Sequence, residues 1–371
     1  MTYAISAVAF LVLLTGLILI HELGHYLAAR WSGVVVEEFG FGLPPRAKRL
    51  GTWCGTLFSL NWIPFGGFVR LKGEGDLGDK ERRASGSFHR APFAARMMIL
   101  SAGVLMNFAL AVVIFTFGFT SGRWIPTYLS LDDMREAAAR GEIQLELGLL
   151  LTDTLPDGGA AAAGIPLKSV LLEVDGRAVV TSEDVLAAQE GKASVRYTLL
   201  SGEGWKERNE FQVRVDGGKT GVMLQTFPRV IAAPNHDVVT SFALSLREAK
   251  IVTVQTVLGM ANLFTSLARN GSVPEGITGI VGIAQLTYSS VQEGFMTYLR
   301  LVALLSLSLA VLNILPFPAL DGGRIVFVLA ELVRQRPANR RFELLTNSIG
   351  FAVLILLIVL VTFADVLRLF A

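Results

Sequence analysis

The chain has 371 residues, 52% of them hydrophobic, a mean hydropathy of +0.53 and a formal net charge of +2. An apolar content this high, gathered into long runs, excludes an ordinary soluble enzyme and reads as a polytopic membrane protein. The near-zero charge gives no footing for a nucleic-acid partner. The single cysteine, Cys54, excludes an intramolecular disulfide and any zinc site built from several thiolates.

Crossing about 30 Å of hydrocarbon takes roughly 20 helical residues, and four stretches reach or approach that length. The first, residues 1–30, ends in LLTGLILIHELGHYLAAR. No basic residue precedes its apolar run, which leads straight into a His/Glu motif, so it is expected to be a retained span and not a signal peptide. Residues 31–95 are expected to form a cytoplasmic-side loop with membrane-associated β-hairpins. Thr56 to Trp62 and Phe68 to Leu71 alternate and are broken by Gly and Pro. Their apolar character beside two spans predicts backbone that dips into the membrane against protein. Leu77 to Arg90 is polar and predicts a mobile loop with His89 exposed.

Residues 96–120 form the second span and 121–145 a linker. Residues 146–230 then read strand, loop, short Ala-rich helix, strand, Asp-Gly turn, helix and further strands, a small α+β unit. Its order P-x-x-x-A-x-x-A-G-I…L-x-V-D-G resembles a PDZ domain, a module that binds extended peptide at a sheet edge. Residues 231–298 hold an amphipathic helix, Thr240 to Ala268, expected on the outer membrane surface because Arg247, Glu248 and Lys250 interrupt it. A Gly-rich apolar segment, Val273 to Leu286, follows. Residues 299–328 contain the third span, ending in NILPFPALDGG. Residues 329–347 are a basic cytoplasmic loop, and 348–371 the fourth span. The 11 Lys and Arg between Arg30 and Arg96, with Arg324, Arg334, Arg336, Arg340 and Arg341, orient both loops toward the cytoplasm. Both termini and residues 120–297 then lie outside.

HELGH is the pattern H-E-x-x-H. Residues four apart on a helix lie about 40° apart round its axis, so His21 and His25 share a face and can bind one Zn²⁺. Glu22 beside them can take a proton from the water that zinc activates. Three ionisable groups in one span need a common partner. A catalytic zinc wants a third protein ligand and an open position. Asp321 qualifies: it follows a run from Leu301 to Leu320 without a charge, whereas His89 and His236 lie in polar or loop contexts. Zn²⁺ with ionised Glu22 and Asp321 sums to about zero, which avoids most of the cost of burying unpaired ions. Pro316 and Pro318 break the third span and free backbone groups near a cavity. Asn313 brings an amide to the same depth, to hold substrate backbone or an oxyanion, or to bridge helices.

HELGH in the first span, PFGGFV after it, one PDZ-like unit and NILPFPALDGG near the end, in that order over nearly the whole chain, resemble the site-2 protease family. Within it, they are similar to the bacterial membrane zinc metalloproteases of envelope-stress signalling, the regulator of sigma-E type. The resemblance implies zinc held by His21, His25 and Asp321, Glu22 as general base, and substrate contacts from Asn313 and the region of Pro316 and Pro318. It implies cleavage of a single-span membrane regulator such as an anti-sigma factor, in the inner membrane, after another protease has trimmed its outer domain. It also implies peptide or ectodomain contact by the PDZ-like unit. The expected fold is a polytopic α-helical membrane protein of about four transmembrane helices, with a membrane-associated β-hairpin region and a small α+β PDZ-like domain. A membrane metal transporter would need more polar residues along the spans than Asn107, Ser101 and Thr116, and a silent PDZ scaffold has no need of Glu22. Within the enzyme class, the runner-up substrates are exported peptides or leftover signal peptides.

Overall fold

The computed structural model of the chain describes residues 2–74, 80, 84–336 and 339–370, and these fall into two bodies: residues 1–120 with 237–371, and residues 121–236. In the first body, α1 (Thr2–Trp31) runs without proline through an almost uniformly apolar sequence and leads into a hairpin of β1 (Val36–Trp53) and β2 (Thr56–Leu71). The hairpin turns on Cys54 and Gly55, both at positive φ, the backbone a tight two-residue turn requires. The pieces Thr56 to Trp62 and Phe68 to Leu71 are thus parts of one strand, interrupted by irregular pairing. Residues 38–41 of β1 lie between two parts of β2: Phe39 is opposite both Phe58 and Val69, and Gly40 opposite both Ser59 and Phe68. Among the described residues, 67–71 therefore pair on one side only. Of the polar stretch Leu77 to Arg90, residues 77–79 and 81–83 lie outside the described residues. His89, expected exposed, is half-buried in a short 3-10 turn, Phe88–Arg90, with its ring edge-on to Phe88.

The bundle continues with α2 (Phe93–Thr120) and, after the second body, with α6 (Val238–Asn270), α7 (Ile280–Glu293), α8 (Phe295–Ile314), α9 (Asp321–Arg334) and α10 (Arg340–Arg368). The expected third span is divided. Pro316 forces Leu315 into an extended conformation, ψ 143°, and so stops α8 at Ile314. Residues 315–320 then cross to α9, whose first residue is Asp321. Among the described residues, five helices are long and apolar enough to cross a membrane: Ala4–Trp31, Phe93–Thr120, Val238–Asn270, Phe295–Ile314 and Arg341–Arg368. The third of these, α6, is the segment the sequence assigned to the membrane surface. Contacts near its start tie it to the C-terminal end of α2 and the N-terminal end of α8: Thr116 Oγ1 donates to Ser245 Oγ at 3.0 Å, and Arg300 lies 3.6 Å from Glu248. The segment after it is held by the last turns of α10. Arg368 donates to the carbonyls of Pro274 and Ile277, and Asp365 accepts from the amides of Gly279 and Gly282, each at 2.8–2.9 Å.

The second body is an antiparallel sheet with two short helices. Its strands are β3 (Gln144–Thr154), β4 (Val170–Val174), β5 (Arg177–Ala178), β6 (Ser194–Ser201), β7 (Glu207–Arg214) and β8 (Val222–Ala232), in the order β7-β6-β4-β3-β8 with β5 on β4. Preceding the sheet is α3 (Leu131–Ala139); α4 (Gly159–Ala162) and α5 (Ser182–Gln189) lie between its strands. The element order is that read from the sequence, and the Asp175-Gly176 turn, both residues at positive φ, makes the β4–β5 hairpin. Alternate residues Leu149, Leu151, Leu171, Val195, Tyr197, Leu199 and Val213 bury one face against Ala160, Val185 and Ala188. Thr181 and Asp184 close a capping box at the start of α5, and the Val180 amide, with the Thr181 amide and hydroxyl, holds the Asp184 carboxyl below its ordinary pKa.

Burial pushes the Tyr197 hydroxyl up to about 12. It stays protonated, 2.7 Å from Thr220 Oγ1, and accepts from the Gln189 amide. Tyr197→Phe leaves two buried polar partners short of a bond, which is expected to cost about 1–3 kcal/mol. Native-state hydrogen exchange at the β6 amides should quicken accordingly while exchange in α1 stays unchanged.

Candidate active site

α1 carries His21 and His25 one turn apart, with ring centroids 4.8 Å apart and planes at 80°. Their Nε2 atoms face each other at 3.1 Å. Asp321 Oδ2 completes a triangle, 2.9 Å from His21 Nε2 and 3.3 Å from His25 Nε2. Asp321 reaches the histidines because the chain doubles back tightly after α8. A Cβ on Gly322 would lie 2.1 Å from the Leu315 carbonyl oxygen, and one on Gly323 2.4 Å from that of Phe317. Only glycine fits there, so the sequence LDGG is what allows Asp321 to start a helix against the end of the preceding one. Pro318 faces away and packs on Gly350 of α10.

The donor set fits a divalent metal. His25 Nδ1 lies 2.8 Å from the Ile99 carbonyl oxygen, which accepts only, so Nδ1 carries the proton and Nε2 presents a lone pair. Two imidazole nitrogens and a carboxylate oxygen then converge with too few protons to pair them all. Donors around a tetrahedral Zn²⁺ with bonds of about 2.0–2.1 Å stand roughly 3.3 Å apart, close to the separations seen. His21, His25 and Asp321 are the one three-residue cluster of potential ligands among the described residues, and all are buried or nearly so. Glu22 is not part of that cluster. Its carboxylate lies in the same cavity, of about 300 Å³, and is met by the backbone of Val69.

The cavity also contains Asn313, from the last turn of α8, together with Phe68, Glu74 and Arg324. Five of the residues singled out in the sequence, His21, Glu22, His25, Asn313 and Asp321, thus share one cavity, whereas Pro316 and Pro318 do not line it. Sequence reasoning missed three contributors. Gly103 of α2 packs against both imidazoles: a Cβ there would lie 2.4 Å from His25 Nε2. The small-residue run Ser101-Ala102-Gly103 in an apolar span is the signal that marks it. Glu74 and Arg324 form an ion pair in the cavity wall. Arg324 was counted only as a basic residue of the cytoplasmic side, although its place three residues after Asp321 puts it on the same helix face.

A carboxylate beside three buried groups that could hold a metal is an arrangement suited to hydrolysis. The comparisons agree. The chain is 28% identical over 366 residues to the Clostridium perfringens protein named "Putative zinc metalloprotease CPE1693", covering 95% of this chain and 96% of the relative. It is 29% identical to a similarly named Fusobacterium nucleatum protein along the full length of both. It is 27% identical to the zinc metalloprotease RasP of Oceanobacillus iheyensis, covering 98% and 99%. The family model described as Peptidase family M50 matches residues 9–357. The chain therefore belongs to peptidase family M50, the site-2 proteases, and is a multi-pass membrane zinc metalloendopeptidase.

Proposed function

We propose that this metalloendopeptidase cuts inside a transmembrane segment of a membrane-anchored regulator, such as an anti-sigma factor, in regulated intramembrane proteolysis. The observation that carries the reading is the position of Glu22, next to the three ligands and against the unpaired side of residues 67–71, in a cavity built from bundle helices. His21, His25 and Asp321 would hold the zinc, which would supply Lewis-acid activation of a water. Glu22 takes the proton of the attacking water and hands it to the departing amine. Asn313 donates to the carbonyl as charge builds on it. A helical substrate hides its carbonyls in its own hydrogen bonds, so it must unwind at the cut, and the free edge of β2 offers the opened strand backbone partners.

The same geometry supports a four-crossing topology. Asp321 meets His21 only if α8 runs in the direction of α1, while α2 runs back. The chain between α2 and α8 therefore crosses the membrane an even number of times. α7, 14 residues long, spans only about 21 Å, too little for a crossing of about 30 Å. α6 accordingly lies along the membrane and not through it, consistent with its two ends being tied to one end of the bundle. We assign four crossings in the bacterial inner membrane. The site lies toward the cytoplasm with the basic loops, and residues 121–236 lie outside as a PDZ-like unit that meets peptide or ectodomain. The test is reconstitution with a single-span substrate bearing either a trimmed or an intact outer domain. The expected result is a cut within the span of the trimmed form, lost on chelation and restored by zinc. A cut only in the soluble flanks overturns the intramembrane reading.

A further inference from the structure

Residues 67–71 of β2 pair with β1 on one side, and the other side faces the site. Strand geometry decides which backbone groups face which way, because direction alternates at every residue. The Lys72 amide donates to the Val35 carbonyl at 2.9 Å and so faces β1. Residues 67, 69 and 71 consequently turn their amides and carbonyls outward. Two further contacts agree: the Val69 backbone meets the Glu22 carboxylate, and the Leu71 amide donates to Glu74 Oε2 at 3.3 Å.

That last contact closes the edge. The chain turns back at Gly73, φ 76°, and the Glu74 amide donates to the Leu71 carbonyl at 3.1 Å. Both outward groups of Leu71 are thus taken by Glu74. The Glu74 carboxylate is in turn paired with Arg324, one turn after the metal-ligating Asp321 on α9. Arg324 is seated over the Phe88 ring at 5.9 Å, which Arg96 shares at 5.5 Å while bonding Glu331 of the same helix. The end of the edge strand and the helix that supplies a metal ligand are clipped together.

We infer that Glu74 and Arg324 are positioning residues that set the cleavage register: they stop an incoming substrate strand at Leu71, and so fix which of its peptide bonds lies at Glu22. The inference rests on the proposed pairing of substrate with the β2 edge. With the clip in place, the outward groups left for pairing are those of Gly67 and the Val69 carbonyl, since the Val69 amide faces the Glu22 carboxylate. Without it the edge extends by one outward residue, and a bound strand can slide by the two-residue repeat of a β-ladder. The clip has no part in the chemistry itself, so its loss should move the cut more than it slows it.

The experiment maps cleavage sites by mass spectrometry in a single-span peptide with an alanine–glycine centre, using reconstituted full-length protein and measuring zinc content in each variant. Wild type and Arg324→Lys should give one dominant bond. Glu74→Gln and Arg324→Gln should add a second product pair displaced by two residues. Glu74→Gln leaves the metal-bearing helix untouched, so its result decides the matter if Arg324→Gln loses zinc. Single N-methyl residues placed in the peptide on either side of the scissile bond, each removing one strand-pairing amide of the substrate, test the pairing separately. Cleavage lost on N-methylation at alternate residues, with an unmoved cut in Glu74→Gln, overturns the clip alone. Undiminished cleavage of every N-methylated peptide overturns the edge pairing and the clip with it.

Discussion

Glu22→Gln is expected to abolish measurable cleavage while leaving zinc bound. Glutamine keeps the shape of the side chain and removes its basicity. The ligand triangle of His21, His25 and Asp321 does not include it, so metal content should stay at the wild-type level. Loss of a general base typically lowers the rate about 10²–10⁴-fold, roughly 3–5 kcal/mol of barrier. In the proposed mechanism the same group also returns the proton to the amine, which places the expected loss at the upper end. Turnover of a single-span substrate, read beside metal analysis of the same preparations, checks both halves. Equal turnover by the two proteins removes Glu22 from the chemistry. A transporter or scaffold built on the same ligands would be indifferent to the substitution in its metal content and would cut nothing in either form.

Much of the site was legible because its chemistry is costly in a membrane. Three ionisable groups in HELGH and one carboxylate after an uncharged run are so expensive in lipid that their presence alone points to a shared ion. The structure brings those four residues together without exception. The spans α1, α2 and α10 were legible for a related reason: apolar length needs no tertiary context. What the sequence hid depends on such context. The two parts of β2 read as separate strands because residues 61–66, with Pro64 and Gly66, break the alternation, and nothing local reveals that both parts embrace residues 38–41. The break that Pro316 and Pro318 make in the third span was legible from proline alone, but not that Asp321 starts a second helix after it. Arg324 was grouped with the basic loop by its charge, yet its helix turns it inward toward Glu74. Charge sign predicts which side of a membrane a loop occupies, but not which face of a short helix a side chain leaves from.

Gly103→Ala is expected to strip the protein of zinc while leaving its fold standing, and Gly24→Ala to do nearly the reverse. The two glycines face each other's helices across the α1–α2 contact, and a Cβ at either would come within 2.4 Å of an existing atom. What that atom can do differs. At Gly103 it is His25 Nε2, the far end of a side chain, with His21 Nδ1 at 2.9 Å. Without metal, the imidazoles can swing aside at the cost of the bond from His25 Nδ1 to the Ile99 carbonyl, about 1 kcal/mol. With metal they cannot, because the position they vacate is the one from which they bind. Disturbing such supporting contacts commonly costs 10–100-fold in metal affinity, and displacing two ligands at once should exceed that. At Gly24 the first obstacle is the Ala102 carbonyl oxygen, which is backbone. The helices must separate to admit a methyl group, and overpacking of this kind costs about 1–3 kcal/mol. Metal analysis paired with thermal unfolding of the metal-free proteins resolves the two cases. Gly103→Ala should match wild type in unfolding and fail in zinc; Gly24→Ala should unfold earlier. Full zinc occupancy in Gly103→Ala would mean that α2 does not press on the histidines, and that the close approach of the two helices serves packing alone.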